Sequence, residues 1–353
     1  MTGILRFDRV ALAAVALAGM AASAPAQSPS SAELARMKSE YRRPAALPVD
    51  NRALAELGRL LFWDPRVSAS GKTACAGCHS PDLGWGVLEP RSRNDSGKLT
   101  SRKSQPLIGI GHVANGMPFG WHGRNATLEA QAKNSIATGS MSMRDTPTPV
   151  AVEVIEQRIR DVPEYAERFK VALPGGAITI DTIAQAIAAY ERTMEPGPAA
   201  FDRWIEGDES AISDTAKRGF VLFNTKTTCF ACHSGWRFTD DKFHDIGVSR
   251  GDRGRGAALK DDEAAQFAFK TPTLRSVALR PPYMHDASQA TLLDVVKHYE
   301  QEPADRPSRS PLFVPVELTE QERGDLVAFM QTLTGSPEGE PAPLLPGTRA
   351  AQQ

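Results

Sequence analysis

The chain has 353 residues, and its 41 Lys and Arg against 42 Asp and Glu give a formal net charge of −1. General nucleic-acid-binding proteins normally carry a basic excess, so this charge balance argues against that class. A hydrophobic content of 41% is enough to bury a core, and the length is sufficient for two domains of ordinary size.

Residues 1–26 have the pattern of a secretory signal. Arg6 and Arg9 precede an apolar run that starts at Val10, and an A-x-A cleavage site ends at Ala26. A membrane anchor is the alternative, but the run is short for a span of about 20 residues. We therefore leave this leader out of the fold and expect the mature chain in the periplasm, without a membrane span.

All four cysteines lie in two short stretches of one pattern. "KTACAGCHSP" covers residues 72–81, and "KTTCFACHSG" covers residues 226–235. Cysteines of this spacing occur in redox disulfides, in structural zinc sites and in C-x-x-C-H motifs that attach haem covalently. No strand and helix pattern of the thioredoxin type surrounds either pair, and zinc would be left with two separate half-sites.

The histidine that follows each cysteine pair favours covalent haem. Two thiols add to the two vinyl groups on one edge of the porphyrin, and the adjacent histidine ligates the iron. The sequence therefore predicts two haem c groups. Their attachment residues and proximal ligands are Cys75, Cys78 and His79 in the first motif and Cys229, Cys232 and His233 in the second.

The segments before the two motifs are also similar. "LGRLLFWD" precedes the first motif and "RGFVLFNT" precedes the second, which indicates a duplicated cytochrome c unit. Helical periodicity dominates the rest of the chain, with predicted N-caps at Asp181, Ser213 and Thr319. We predict an all-α fold with two cytochrome c-like helical domains, residues 27–197 and 198–335, and a Pro/Gly-rich tail at 336–353.

The second axial ligand of each iron decides the chemistry. A haem with two strong protein ligands carries electrons, whereas an open face can bind peroxide or oxygen. In "ATLLDVVKHYEQ", a helix that begins near Thr291 places Leu292, Val296 and Tyr299 on one face. From periodicity alone, Tyr299 is either an iron ligand or a core tyrosine with a hydrogen-bonded hydroxyl.

Several blocks, in order, resemble the bacterial diheme cytochrome c peroxidase and MauG family over roughly residues 50–335. They are "LGRLLFWDPRVSASGKTACAGCHSP", "PFGWHGRNATLEAQAKN", "FNTKTTCFACHSG", "DRGRG", "FKTPTLRSVALRPPYMHD" and "TLLDVVKHYE". The resemblance implies that the N-terminal haem reacts with hydrogen peroxide and that the C-terminal haem relays or stores electrons.

The resemblance also implies roles for single residues. Trp121 in "GWHGR" matches a tryptophan between the two haems of the family. Tyr299 takes the place of the distal ligand of the C-terminal haem, which is Met in the peroxidases and Tyr in MauG-like members. His285 in "PYMHD" matches a family histidine near the second haem, for which a propionate hydrogen bond or a loop anchor is the alternative.

A calcium ion often lies between the haems in this family. The resemblance places its carbonyl ligands near Thr271 and Thr273, but Ser104 stands about where the family has an Asn ligand. The family also suggests a homodimer.

Three further positions depart from the family. Ser96 stands near the place of a histidine that caps the N-terminal haem of the peroxidases, which predicts an open face. His122 replaces the Asp of the "F-W-D-G-R" block. Met141 stands where the family has a Glu that acts as acid and base in O–O cleavage. Glu129, His122 or His112 would therefore have to supply this acid/base role.

Three functions are consistent with these residues. The first is a MauG-like periplasmic enzyme that reacts with hydrogen peroxide and oxidises a protein or a small donor, with Trp121, His122 and Glu129 as candidate catalytic residues. The second is a peroxidase that removes hydrogen peroxide with electrons from a small cytochrome c or cupredoxin. The third is a non-enzymatic electron carrier or sensor. Tyr299 and the open face favour the first.

Overall fold

The computed structural model describes residues 29–143, 146–147, 149–248, 251–335 and 340–348. The signal sequence predicted at residues 1–26 lies outside these ranges. Among the helices of the described ranges, none is long and apolar enough to cross a membrane.

Helices and long loops make up this part of the chain. The α-helices are α1 Ser31–Ser39, α2 Arg52–Trp63, α3 Leu128–Ala137, α4 Val152–Arg160, α5 Pro163–Ala172, α6 Ile180–Glu191, α7 Ala200–Ile205, α8 Asp214–Asn224, α9 Cys229–Cys232, α10 Leu292–His298 and α11 Glu320–Gln331. A small antiparallel sheet pairs β1 Phe243–His244 with β2 Phe269–Lys270, with Phe243 opposite Lys270. Apart from this sheet, the all-α prediction is confirmed.

The first buried cluster surrounds the crossing of α2 and α6. Helix α2 begins after Asn51, whose side chain accepts a hydrogen bond from the Leu54 N–H. The predicted cap of α6 was wrong by two residues, since Thr179 and not Asp181 caps this helix. The reason is that Ile180 belongs to the buried stripe of α6, so the helix starts before Asp181.

The second buried cluster surrounds α8 and α11, with α10 beside them. Ser213 and Thr319 cap α8 and α11 as predicted. The rings of Phe220 and Phe329 meet edge to face with centroids 5.6 Å apart. Burial of each such side chain contributes about 1.5–3 kcal/mol, so these contacts hold the two helices together.

The two helix crossings depend on glycines at matching positions. A Cβ on Gly58 of α2 would overlap the carbonyl of Ala186 in α6, and a Cβ on Gly219 of α8 would overlap the carbonyl of Asp325 in α11. These are the glycines shared by "LGRLLFWD" and "RGFVLFNT". The duplication seen in the sequence therefore includes a common mode of helix packing.

Replacing Gly219 with alanine is expected to lower the free energy of unfolding by about 3 kcal/mol, because over-packing a core typically costs about 1–3 kcal/mol and backbone atoms move aside poorly. Gly324→Ala is the matched control, since Gly324 lies on α11 with open space around it. That change is expected to stabilise the helix by up to about 1 kcal/mol. Guanidinium unfolding followed by circular dichroism measures both variants. Equal stability of Gly219→Ala and wild type would contradict the close crossing.

The N-terminal segment of the described chain packs on the second helical cluster, and the C-terminal tail packs on the first. Tyr41, which follows α1, is buried in the second cluster and stacks on Phe238 with ring centroids 4.8 Å apart. In the tail, the Tyr190 hydroxyl donates to Glu340 over 2.6 Å, and Arg66 donates to the carbonyl of Pro346 over 2.7 Å. The boundary at residue 197 stays a prediction, but the segment before α2 clearly contacts the second helical cluster.

Candidate functional site

The first motif lies on the wall of an N-terminal cavity of about 320 Å³. Cys75 starts a single 3₁₀ turn, Cys75–Gly77, and Cys78 and His79 follow it. Helices α3 and α6 and the loop from Ser101 to Gln105 form other walls. All four cysteines of the chain, here and in the second motif, are free thiols.

The His79 ring is held in the form that binds a metal. Its Nδ1 lies 3.3 Å from the carbonyl oxygen of Trp85, and a carbonyl only accepts, so Nδ1 carries the proton. Burial lowers the pKa of His79 to about 4, which keeps the ring neutral. The lone pair of Nε2 is thus the one that can ligate iron.

The second motif repeats this arrangement in a C-terminal cavity of about 200 Å³. Cys229 and Cys232 are the first and last residues of α9, and His233 follows directly. The Nδ1 of His233 lies 2.7 Å from the carbonyl oxygen of Phe238, and burial lowers the pKa of this histidine also. Both motifs therefore present two thiols and a neutral imidazole to a cavity.

Tyr299 ends α10 as its C-cap and lines the C-terminal cavity. Its ring meets Phe313 edge to face at 5.3 Å, and burial raises the pKa of its hydroxyl. Met284 and Met330 line the same cavity, so the fold brings two thioethers to this site as well. The role of Tyr299 as iron ligand stays a prediction.

His285 is buried against the same cavity. Its ring stacks on Phe269 with centroids 3.5 Å apart, and its Nε2 has no hydrogen-bond partner. A buried polar atom without a partner is unfavourable, so this nitrogen fits a hydrogen bond to a bound group such as a haem propionate.

Trp121 lines both cavities. Its indole N–H donates to the carbonyl of Lys103 over 2.7 Å, and its ring lies edge to face with His285 at 6.3 Å. The ammonium of Lys103 in turn donates to the carbonyls of Val87, at 2.6 Å, and of Pro281, at 3.3 Å. The Lys103 carbonyl thus holds the indole at both cavities, and the Lys103 ammonium binds backbone carbonyls of both domains.

His122, next to Trp121, lies on the wall of the N-terminal cavity. Arg102 donates to its Nδ1 over 2.8 Å, and Arg102 also pairs with Asp252 at 2.6 Å. Burial, followed by the positive charge of Arg102, lowers the pKa of His122 to about 4. Because Nδ1 accepts from a guanidinium, Nε2 carries the proton and can only donate.

The other two candidates for acid/base chemistry lie outside the cavity wall. Glu129 pairs with Arg192 at 2.6 Å, and its side chain is 37% exposed. Burial would raise the pKa of Glu129, but hydrogen bonds from the backbone and from Arg192 outweigh it and lower this pKa. His112 pairs with Glu195 at 2.5 Å.

Two departures from the family are visible in the structure. Met141 is buried, lines the N-terminal cavity, and places its sulfur 3.6 Å from the sulfur of Cys75. The Ser96 hydroxyl donates to the Asn94 side chain over 2.9 Å and lies away from the cavity wall.

Sequence analysis missed Glu191, the last residue of α6, which is 7% exposed and lines the same cavity. The signal was available, since Ile183, Ile187 and Glu191 follow one another at helical spacing on a buried stripe. Because Glu is rarely buried without a partner, a carboxylate on a buried stripe indicates a specific role.

The carbonyls predicted to hold calcium accept hydrogen bonds within the chain. Thr239 donates to the carbonyl of Thr271 over 2.7 Å, and Arg280 donates to the carbonyl of Thr273 over 2.9 Å. Ser104 shares a hydrogen bond of 2.9 Å with Ser92. Calcium stays a prediction.

A second group of ligand-type atoms lies beside the C-terminal motif. Cys232, Asp240 and His244 bring one such atom each within 4.8 Å of one another. Asp240 and His244 already pair at 2.8 Å. Once Cys232 is a thioether of haem c, its sulfur is not a thiolate, so these three residues do not form an independent metal site.

The fold and the two sites define a c-type cytochrome with two haem-binding domains. The family model for di-haem cytochrome c peroxidase matches residues 52–210, and the model for cytochrome c matches residues 216–334. The methylamine utilization protein MauG of Methylorubrum extorquens is 42% identical over 94% of each chain, and that of Methylophilus methylotrophus is 39% identical over 88% of this chain and 92% of the relative. The chain belongs to the di-haem cytochrome c peroxidase and MauG family.

Solved structures agree with this assignment. A MauG-like protein associated with microbial copper homeostasis superposes with a TM-score of 0.72 at 27% identity, covering 84% of this chain and 94% of that one. The diheme peroxidase BthA from Burkholderia thailandensis superposes with a TM-score of 0.68 at 21% identity, covering 88% of this chain and 94% of that one, and supports the fold alone. The protein is a haem-dependent oxidoreductase with two haem c groups.

The residues of both cavities fit haem c. Each cavity offers a pair of free thiols and an imidazole whose Nδ1 is already bonded to a carbonyl. The C-terminal cavity adds the unpartnered Nε2 of His285. The zinc and disulfide alternatives explain neither the repeated histidine nor these cavities.

Proposed function

We propose that the chain is a MauG-like periplasmic enzyme in which hydrogen peroxide reacts in the N-terminal cavity and electrons pass through the C-terminal cavity. The observation that carries this proposal is Trp121, which lines both cavities. When bound, haem iron supplies the electrons that reduce peroxide. An aromatic ring held between two redox groups offers electrons a short path from one group to the other.

The residues around the N-terminal cavity suit the binding of a small polar ligand. The protonated Nε2 of His122 can donate to a bound oxygen, because Arg102 occupies the other nitrogen. Ser96 lies away from the wall, which supports an open face of the N-terminal haem. Glu129 stays a candidate acid/base group, although its ion pair with Arg192 disfavours that role.

In the C-terminal cavity, His233 and Tyr299 would both hold the haem iron. An anionic oxygen donor stabilises the more positive states of iron and lowers the reduction potential relative to a thioether. His285 would hold a propionate of the same haem through its unpartnered Nε2. Ligation by Tyr299 would favour storage of oxidising equivalents over rapid electron uptake. This is expected of a MauG-like enzyme that oxidises a protein or small donor.

The second candidate is a peroxidase that takes electrons from a small cytochrome c or cupredoxin. It is favoured by the cytochrome-c peroxidase IdrP1 of Denitromonas iodatirespirans, which is 33% identical over 98% of each chain. Both candidates act in the periplasm, and a homodimer is part of the proposal for either.

Steady-state turnover separates the two candidates. Purified holoprotein with hydrogen peroxide is expected to oxidise reduced small cytochrome c slowly, while peroxide alone converts both haems to an oxidised form that decays over a much longer time. Replacing hydrogen peroxide with water is the control. Fast turnover with reduced cytochrome c, after prior reduction of the holoprotein, would support the peroxidase instead. An unchanged haem spectrum after peroxide addition would contradict both.

A further inference from the structure

Glu191 is the one carboxylate among the described residues that line the N-terminal cavity. It is 7% exposed, and its Oε2 has no hydrogen-bond partner. Such an atom is unfavourable unless a bound molecule or a proton satisfies it. Helix α6 sets this position, since Ile187 one turn earlier faces the same cavity, whereas Tyr190 turns into the core against Phe62 and Trp85.

Glu191 and Met141, the residue that aligns with the family's Glu, line the same cavity. The Met141 sulfur is 3.6 Å from the Cys75 sulfur. Burial chiefly, and the nearby charge of Glu191 next, raise the pKa of that same thiol. Met141 carries no exchangeable proton, whereas Glu191, at the end of α6, brings a carboxyl to the wall of the same cavity.

The Glu191 carboxyl can both accept and release a proton near neutral pH. Burial raises its pKa to about 8, the charge of Arg192 opposes this rise, and the charge of Glu129 adds to it. An acid/base group works best when its pKa lies near the operating pH. The other titratable or charged residues on the cavity wall are Cys75, Cys78, His79, Arg93, Arg102, Lys103, His122 and Arg124.

We infer that the Glu191 carboxyl moves a proton between the two oxygens of hydrogen peroxide in the N-terminal cavity. This inference rests on the function proposed above. Reduction of one peroxide to two water molecules breaks the O–O bond and takes up two electrons and two protons, and the electrons come from the haem groups. Glu191 takes the proton of one peroxide oxygen and returns it to the other, which leaves as water. His122 donates a hydrogen bond in this cavity and keeps its own proton.

The test is Glu191→Gln in the holoprotein, which keeps the shape of the side chain and removes its titration. The rate of reaction with peroxide, followed by stopped-flow absorbance, is expected to fall by about 10²–10⁴-fold. The wild-type rate is expected to rise with pH and level off above about 8, as the carboxyl loses its proton, whereas the variant shows no such rise. Asp181→Asn, an exposed change on the same helix, is the control that leaves the rate unchanged.

A second readout does not depend on peroxide. Hydrogen cyanide must lose a proton when it binds ferric haem, so the rate of cyanide binding is expected to fall in Glu191→Gln as well. Adding Met141→Glu to this variant returns a carboxyl to the wall of the cavity and is expected to restore part of the peroxide rate. Glu191→Asp keeps the carboxyl and serves as a conservative variant if the glutamine side chain impairs folding.

A peroxide rate of Glu191→Gln within about threefold of wild type, less than a general acid/base supplies, would overturn the inference. Loss of the rate in Glu129→Gln instead would also overturn it and assign the role to Glu129. If wild-type protein does not react with peroxide, the proposed function fails, and the cyanide comparison alone decides whether Glu191 accepts a proton. Unchanged cyanide binding would then reject it.

Discussion

Replacing Trp121 with phenylalanine is expected to uncouple the two haems. The N-terminal haem still reacts with hydrogen peroxide, but the response of the C-terminal haem becomes slower by at least about tenfold, which corresponds to about 1.4 kcal/mol of barrier. The physical reason is that the indole lines both cavities, whereas phenylalanine is smaller and cannot donate to the carbonyl of Lys103. Rapid-freeze electron paramagnetic resonance after peroxide addition resolves the two haems.

Trp236→Phe is the matched control for this experiment. Trp236 packs against His112 with ring centroids 4.7 Å apart and lines neither cavity. It is expected to leave the response of both haems unchanged. If both haem signals of Trp121→Phe disappear together at the wild-type rate, electrons do not pass through Trp121 and take another path.

Replacing Tyr299 with methionine is expected to raise the reduction potential of the C-terminal haem. The shift is on the order of 100 mV, within the roughly 0.8 V range over which axial ligands set haem potentials. A phenolate oxygen stabilises the ferric state, whereas a neutral thioether stabilises the ferrous state. Spectroelectrochemical titration of the holoprotein measures the change.

Tyr41→Phe provides the control for the loss of a buried tyrosine from the same core. Tyr41 belongs to the second buried cluster but does not line the C-terminal cavity. Its substitution is expected to leave the reduction potential unchanged. An unchanged potential in Tyr299→Met would exclude Tyr299 as a ligand and direct attention to Met284 and Met330, which line the same cavity.

The parts of the fold that depend on local pattern could be predicted from the sequence. The two C-x-x-C-H motifs and the caps at Ser213 and Thr319 are short-range signals, because the residues that interact are within a few positions of one another. The cap of α6 was misplaced, because burial of Ile180 outweighed the preference of Asp181 for an N-cap.

Contacts between distant segments could not be predicted in this way. The packing of Tyr41 on Phe238 joins residues on either side of an entire domain, and no periodicity reports such a pairing. The position of Glu191 on the cavity wall depends on how α6 packs against α2 and α3. The absence of the family's Glu at Met141 was visible in the sequence, whereas the carboxylate of Glu191 on the wall of the same cavity was visible only in the fold.

Electron paramagnetic resonance of the purified ferric holoprotein, recorded before and after one equivalent of hydrogen peroxide, tests the proposed function most directly. A high-spin N-terminal haem and a low-spin C-terminal haem are expected at the start, because one has an open face and the other has two protein ligands. Peroxide is expected to remove the low-spin signal, which then returns slowly. Two low-spin haems that peroxide leaves unchanged would contradict the open cavity and the path through Trp121.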